Sequence, residues 1–429
     1  MSETTAAPTE RAAKSFSGYW TLAGLALGLV LGWFADSWPA DSHETALSLA
    51  SFIGTLWLDG LKMTVIPLVV TLLVTGVAKS AEAARGGRIA ARSVMWVVIV
   101  CTISAVFGAV AMLLLTHMFP LAQSTAEGLR QALVGVEQKA TGPLPGVADF
   151  FKGVVPANVF AAASNGDVLP LVVFALLFAL ALTRIGEASR RNVVSLFEAI
   201  ADALLVIIRW VLWIAPVGVF ALAFAVGSEA GGAAFAGLGH YIALVSAVGI
   251  LWMVLAAYPW GIVGGGRSPR LFVKAMIGPQ AVAISTRSSL ASLPAMLTAA
   301  QTLGVRPRVA DVSLPLAVAL FRSTGPAMNV AVAFYVAHWL GLHPSPPQMI
   351  AAIAVGAVMS YGAVSLPGEI TFISSIAPIA MALGVPIAPL ALLVAVEMVP
   401  DIFRTLGNVT FDVALASVVD RGASDGLET

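Results

Sequence analysis

Charge is scarce in this chain. Asp, Glu, Lys and Arg supply 11% of its 429 residues, against roughly 25% in an ordinary soluble domain. A chain so poor in charge cannot cover a water-facing surface. The 23 Lys+Arg and 23 Asp+Glu cancel, so no basic field exists to hold a phosphate backbone, and nucleic-acid binding is excluded. A single cysteine, Cys101, excludes a disulfide framework and a multi-Cys metal site. The five histidines are scattered singly, and no metal or cofactor is expected. The sequence holds no nucleophile–His–acid arrangement and no phosphate-cradling Walker motif, which argues against a hydrolase or an ATP-driven pump.

What is abundant is apolar sequence, at 59% of residues. A helix needs about 20 apolar residues to cross a bilayer. The sequence predicts an all-α polytopic membrane protein; the short alternating segments of a transmembrane barrel are absent. The polar start, residues 1–15, lacks the basic region and cleavage site of a signal peptide and is expected to be a cytoplasmic tail, as is 420–429. Apolar segments fall at about 18–35, 48–78, 93–119, 154–183, 193–227, 238–265, 272–300, 309–341, 348–383 and 385–419. Two of them, 272–300 and 348–383, are interrupted by Ser292-Leu293-Pro294 and by Ser365-Leu366-Pro367-Gly368. Proline and glycine end helices, and lipid cannot solvate the freed backbone. Each interruption therefore predicts a re-entrant hairpin. Eight spans plus two hairpins put the loops rich in Lys and Arg on one side, inside, with both termini cytoplasmic. A hairpin followed by a span occurs twice in inverted orientation, a pattern that marks the central site of a secondary transporter.

The segment 385–419 is apolar except for Glu397, Asp401, Arg404, Thr405, Asn408 and Asp412. Steps of about 100° per residue place all six within an arc of roughly 100°. Charge inside a bilayer must be paired or hydrated. A structural ion-pair stripe is one reading. The other is a ligand stripe, which explains why acids, an amide and a hydroxyl accompany one guanidinium. Arg404 offers a fork for a carboxylate, Asp401 an acceptor for an ammonium, and Asn408 and Thr405 partners for a second carboxylate.

The sequence resembles the dicarboxylate/amino acid:cation symporters, the glutamate transporter homologues, over nearly the whole chain. That family's Asp-x-x-Arg-Thr-x-x-Asn-x-x-x-Asp stands here as Asp401, Arg404, Thr405, Asn408 and Asp412. Its first hairpin tip, Arg-Ser-Ser-Ser, stands as Arg287-Ser288-Ser289-Leu290, and its second, Val-Pro-Gly, as Leu366-Pro367-Gly368. The resemblance implies a homotrimer with a scaffold of residues 16–78 and 154–227. It implies a transport domain, 93–119 and 238–419, that moves like an elevator in the plasma (inner) membrane. It gives Arg404 the substrate's side-chain carboxylate, Asp401 its amino group, and Asn408 and Ser289 its α-carboxylate. The second tip closes over the ligand. Asp401 favours aspartate or glutamate over a C4-dicarboxylate, which is the alternative substrate class. A channel or a substrate-sensing receptor on the same fold is the alternative from another class.

One departure concerns cations. The family's Asn-Met-Asp-Gly-Thr sodium signature is replaced by Phe321-Arg322-Ser323-Thr324-Gly325. Ala319 and Ala363 stand where the family has hydroxyls, and Val97, Val100 and Cys101 fall near a Tyr/Thr/Ser cluster of the family. Sodium wants several oxygen ligands. Losing an aspartate and gaining an arginine changes the site by +2, the charge of two sodium ions. Arg322 is thus expected to neutralise Asp412 in place of sodium, or else to make a structural pair. Glu369, beside the second tip, is expected either to carry a proton or to sit in the aqueous mouth, and Glu397 is grouped with Arg322, Asp412 and Glu369 as a residue of coupling or charge compensation.

Overall fold

The computed structural model describes residues 8–35, 37–85, 87–127, 155–360 and 368–424. No strand occurs among them. The N-terminal half comprises α1 (Pro8–Ala35), α2 (Ala40–Ala84), α3 (Arg88–Met118), the short α4 (Val159–Asn165), α5 (Val168–Leu182), α6 (Glu187–Trp213) and α7 (Ala215–Ala230). Then follow α8 (Gly232–Trp252), α9 (Pro269–Thr286), α10 (Ser289–Thr302), α11 (Pro307–Leu320) and α12 (Thr324–Trp339). The chain ends with α13 (Pro346–Met359), α14 (Gly368–Leu383), α15 (Ala388–Leu393) and α16 (Met398–Ser424). Among the described residues, Ala40–Ala84, Arg88–Met118, Gly232–Gly264, Pro307–Trp339 and Met398–Gly422 are long and apolar enough to cross a membrane, and α6 and α7, bent by 58° at their junction, are so when taken together.

Proline places most of the interruptions. Its ring clashes with the carbonyl four residues earlier and it lacks an N–H. Pro216 sits at the start of α7, and α6 ends at Trp213. Pro259 stands between the π-helical stretches Met253–Ala257 and Trp260–Gly264. Pro326 opposes the carbonyl of Arg322, and the chain leaves the helix at Phe321–Ser323, with Phe321 extended. Pro400 opposes the carbonyl of Val396, and residues 394–397 form a turn between α15 and α16. Segments 309–341 and 385–419 are therefore not continuous helices, as the hydropathy alone suggested.

The chain between α9 and α10 turns at the Arg287–Ser288 tip that the resemblance gives, not at the proline interruption. Ser292-Leu293-Pro294 lies inside α10, not at a break. The turn is five residues earlier, where Arg287 adopts a left-handed conformation (φ 49°) and Ser288 caps α10, its hydroxyl accepting from the Ala291 N–H at 3.2 Å. In the second hairpin α13 and α14 pack on each other, while Ser365, Leu366 and Pro367 lie outside the described residues. The foot of the first hairpin is clasped to the end of α16. Arg267 donates to Asp420 Oδ2 at 2.7 Å and to the Leu303 carbonyl at 2.7 Å, and Arg306 Nε donates to Asp420 Oδ1 at 2.7 Å.

Helices α1, α2, α5, α6 and α7 pack largely among themselves, and α3 with α8 to α16. Phe52, Leu56, Met63, Trp210 and Trp213 are exposed on the first group, as a lipid-facing surface requires and a water-facing one does not tolerate. Three glycines on one stripe of α1, Gly24, Gly28 and Gly32, bring α1 against α7. A Cβ on them would strike the carbonyl oxygens of Pro216, Phe220 and Phe224 in turn. Small residues at four-residue spacing let membrane helices pack backbone to backbone. Gly28→Leu should therefore destabilise the protein by about 1–3 kcal/mol, the usual cost of overpacking. Gly239→Ala, where an added Cβ meets nothing within 4 Å, should be neutral. Melting midpoints in detergent check both; an unshifted midpoint for Gly28→Leu would show that α1 and α7 do not touch through this stripe.

Candidate functional site

Five of the six polar residues expected on one face lie on α16: Asp401, Arg404, Thr405, Asn408 and Asp412. Glu397 stands just before it, in the turn. Glu397 and Asp412 are 0% exposed, and Asp401, Thr405 and Asn408 are buried. Helical side chains lean toward the N-terminus, so Arg404 reaches back along its own helix. Its Nη1 pairs with Glu397 Oε1 and lies 3.3 Å from Asp401 Oδ1. Glu397 Oε2 accepts a hydrogen bond from the Tyr241 hydroxyl of α8 at 3.2 Å. From the hairpin tip, Arg287 Nη1 approaches Asp401 Oδ2 at 4.0 Å. Four elements thus converge on one charged cluster. The Nε and Nη2 of Arg404 are buried and lack a hydrogen-bond partner among the described residues. One edge of the guanidinium is held by protein acids while donors on the rest of the fork are left over.

A second polar locus forms where Phe321–Ser323 leaves the helix. The freed backbone is satisfied by side chains, as burial demands. Asn408 Oδ1 accepts from the Thr324 N–H at 3.0 Å, and Ser104 of α3 accepts from the Ala327 N–H at 3.0 Å while donating to the Ser323 carbonyl. Cys101 stands beside the Arg322 backbone, within electrostatic reach of Asp412. Arg322 lies within electrostatic reach of both Asp401 and Asp412. It does not touch Asp412: neither oxygen of Asp412, nor Arg322 Nε, has a hydrogen-bond partner among the described residues. Their charges oppose each other across the break without a direct ion pair.

The sequence-expected residues thus divide. Arg287, Glu397, Asp401 and Arg404 come together. Arg322 and Asp412 share the second locus. Thr405 turns its hydroxyl proton to the Asp401 carbonyl at 2.9 Å, and Ser288 serves as a helix cap with Ser289 beginning α10. Leu366 and Pro367 lie outside the described residues, as does the side chain of Glu369, and Gly368 begins α14. Asn408, expected to serve a ligand, holds the start of α12. Three residues were missed: Tyr241, Ser104 and Gln280, whose amide donates to Tyr258 and Thr410 at 2.9 and 3.0 Å. A lone polar group in an apolar span is the signal they share.

A model of the sodium:dicarboxylate symporter family matches residues 18–422. The chain is 30% identical to the proton/sodium-glutamate symport protein of Bacillus subtilis over 409 residues, 92% of this chain and 90% of that one. It is 27% identical to the proton/glutamate-aspartate symporter of Escherichia coli, covering 94% and 92%. To the C4-dicarboxylate transport protein of Cupriavidus taiwanensis it is 26% identical, covering 95% of both. A buried charged cluster at the meeting of broken helices, in a chain matched by that family almost end to end, leads to one conclusion: the chain belongs to the sodium:dicarboxylate symporter family and is a multi-pass membrane transporter, not an enzyme.

Proposed function

We propose that this chain is a secondary transporter of acidic amino acids, aspartate or glutamate, that works without sodium. The observation that carries the reading is Arg404. A buried guanidinium with donors to spare, set between Glu397 and Asp401, suits a carboxylate, because planar forks bind carboxylates through paired donors. Asp401, beside it, suits an ammonium group. A C4-dicarboxylate, the substrate named for the Cupriavidus relative, has no such group to offer Asp401. Thr405, Asn408, Ser288 and Ser289 complete the ligand set, with Leu366, Pro367 and Gly368 closing over it as the outer gate.

Sodium independence is supported by the second locus. Cys101 and Phe321 stand there and, like the buried Val97 and Val100, bring no hard side-chain oxygen; the oxygens that remain, of Ser323, Thr324 and Asp412, share the locus with the Arg322 charge. Arg322 supplies a fixed positive charge opposite Asp412. Coupling to an ion requires that the ion bind one state in preference to another, and a resident cation removes that preference. Protons are then the coupling ion. Residues 16–78 and 154–227 form the scaffold of a homotrimer in the plasma membrane, with cytoplasmic termini. Residues 93–119 and 238–419 form the moving transport domain.

Two measurements test the reading. Radiolabelled aspartate uptake into proteoliposomes should be equal in sodium, potassium and choline, and Asp401→Ser should weaken aspartate far more than succinate. A steep rise of affinity with sodium, or an equal loss for both substrates, would defeat the respective assignment. Arg322→Met should damage binding, since an isolated buried carboxylate costs several kcal/mol or takes up a proton. Arg322→Met combined with Asp412→Asn should be milder than the sum of the single changes, as coupled sites are not additive. Strict additivity in substrate affinity would separate the two residues.

A further inference from the structure

The charges at the buried centre balance. Arg287, Arg322 and Arg404 face Glu397, Asp401 and Asp412. Three cations and three anions sum to zero among the described side chains. An acidic amino acid carries two carboxylates and one ammonium, a net charge of −1. Brought into a balanced site of low dielectric, that charge demands an answering positive one.

Glu397 is the group whose counter-ion the substrate competes for. It is 0% exposed, its Oε1 is held by Arg404 and its Oε2 by the Tyr241 hydroxyl. Asp401 has Arg287 as a second partner and gains the substrate's ammonium, and Asp412 stays in the field of Arg322 without a direct ion pair. We propose that Glu397 is the proton acceptor of the transport cycle, taking up one proton as the substrate carboxylate displaces it from Arg404. The inference rests on the reading of Arg404 as the carboxylate's partner. In balance, one ion pair breaks, one forms between Arg404 and the substrate, and a proton from water becomes the O–H of Glu397. The centre is neutral before and after. Tyr241 already donates to Oε2, so Oε1, the atom that Arg404 releases, is where the proton sits. Release on the other side of the membrane runs these steps in reverse.

The ionisable groups around Glu397 are few. Helix α8 brings Tyr241 and His240, and α12 brings Tyr335, whose ring meets that of Tyr241 at 5.4 Å. His240 is engaged elsewhere, with Nδ1 3.0 Å from the Tyr335 hydroxyl and Nε2 2.9 Å from the Phe119 carbonyl. Asp401 and Arg404 come from α16, Arg322 from the break before α12, and Arg287 from the hairpin tip. Helix α15 and residues 372–383 of α14 carry no ionisable side chain.

Isothermal titration of the full chain with aspartate, in two buffers of different ionisation enthalpy, counts protons taken up on binding. The expected count is about one, with affinity falling by up to about tenfold per pH unit on the alkaline side. A C4-dicarboxylate, with one more negative charge, would call for about two. Glu397→Gln keeps the shape of the side chain and should bind with a count near zero and a flat pH profile. Tyr241→Phe should keep a count near one with a displaced pH midpoint; it serves also if Glu397→Gln does not fold, because an undisplaced midpoint would then sink the proposal. A count near one in Glu397→Gln, or near zero in the unmutated protein, overturns the role of Glu397 alone. An unmutated protein that binds neither aspartate, glutamate nor succinate overturns the reading of Arg404, and this inference with it.

Discussion

Arg404 is a positive charge that has been taken out of water, and the centre of the protein is organised to answer it. A lone buried ion costs several kcal/mol even after relaxation. Glu397 and Asp401 meet it from its own chain segment, and both are themselves held from outside, by Tyr241 and by Arg287. The cluster therefore ties α8, the first hairpin and α16 together through a group that also has donors to spare. On the proposed reading of Arg404, a guanidinium partly occupied by the protein's own carboxylates would bind an anion by exchange of partners, not by filling an unmet charge. Exchange of this kind keeps the empty state tolerable inside a membrane.

The broken helices serve the same end. Leaving a helix in a bilayer exposes backbone groups that lipid cannot satisfy. At Phe321–Ser323 the remedy is local: Ser104 and Asn408 take up the amides that follow the break and one carbonyl within it. The side chains that cap the break thereby fix α3 and α16 relative to α12. Burial of so many helix ends in protein explains why α12 and α16 are mostly enclosed while α2 and α6 show apolar side chains to the outside.

The helical class, the apolar segments and the charged stripe of α16 were legible in the sequence because composition and the 3.6-residue period speak directly to burial. The placement of breaks was less so. Ser-Leu-Pro marks a hairpin turn only if its proline starts a helix, and Pro294 sits within one. The turn at Arg287 uses a left-handed backbone that an arginine seldom adopts; residue propensities do not announce it, and only the resemblance of Arg287-Ser288-Ser289 to the family's tip pointed there. Pro326 and Pro400 were visible as residues, yet their effect falls four positions earlier, at Arg322 and Val396, where the sequence shows no punctuation. The pairing of Glu397 with Arg404 was open in the ion-pair reading of the stripe, whereas the hydrogen bond from Tyr241 depends on packing between distant segments and had no local signal.

The clasp of Asp420 with Arg267 and Arg306 has a mechanical meaning. It pins the foot of α10 to the end of α16 through hydrogen bonds of 2.7 Å, while the opposite end of the helix carries Ser288 and Ser289. Helix α10 has 14 residues, so it is a lever of about 21 Å. A tilt of about 10° about that foot carries its tip about 4 Å, more than the length of a hydrogen bond. With the clasp as fulcrum, a small rotation at the base of α10 would become a large displacement at its Ser288–Ser289 end.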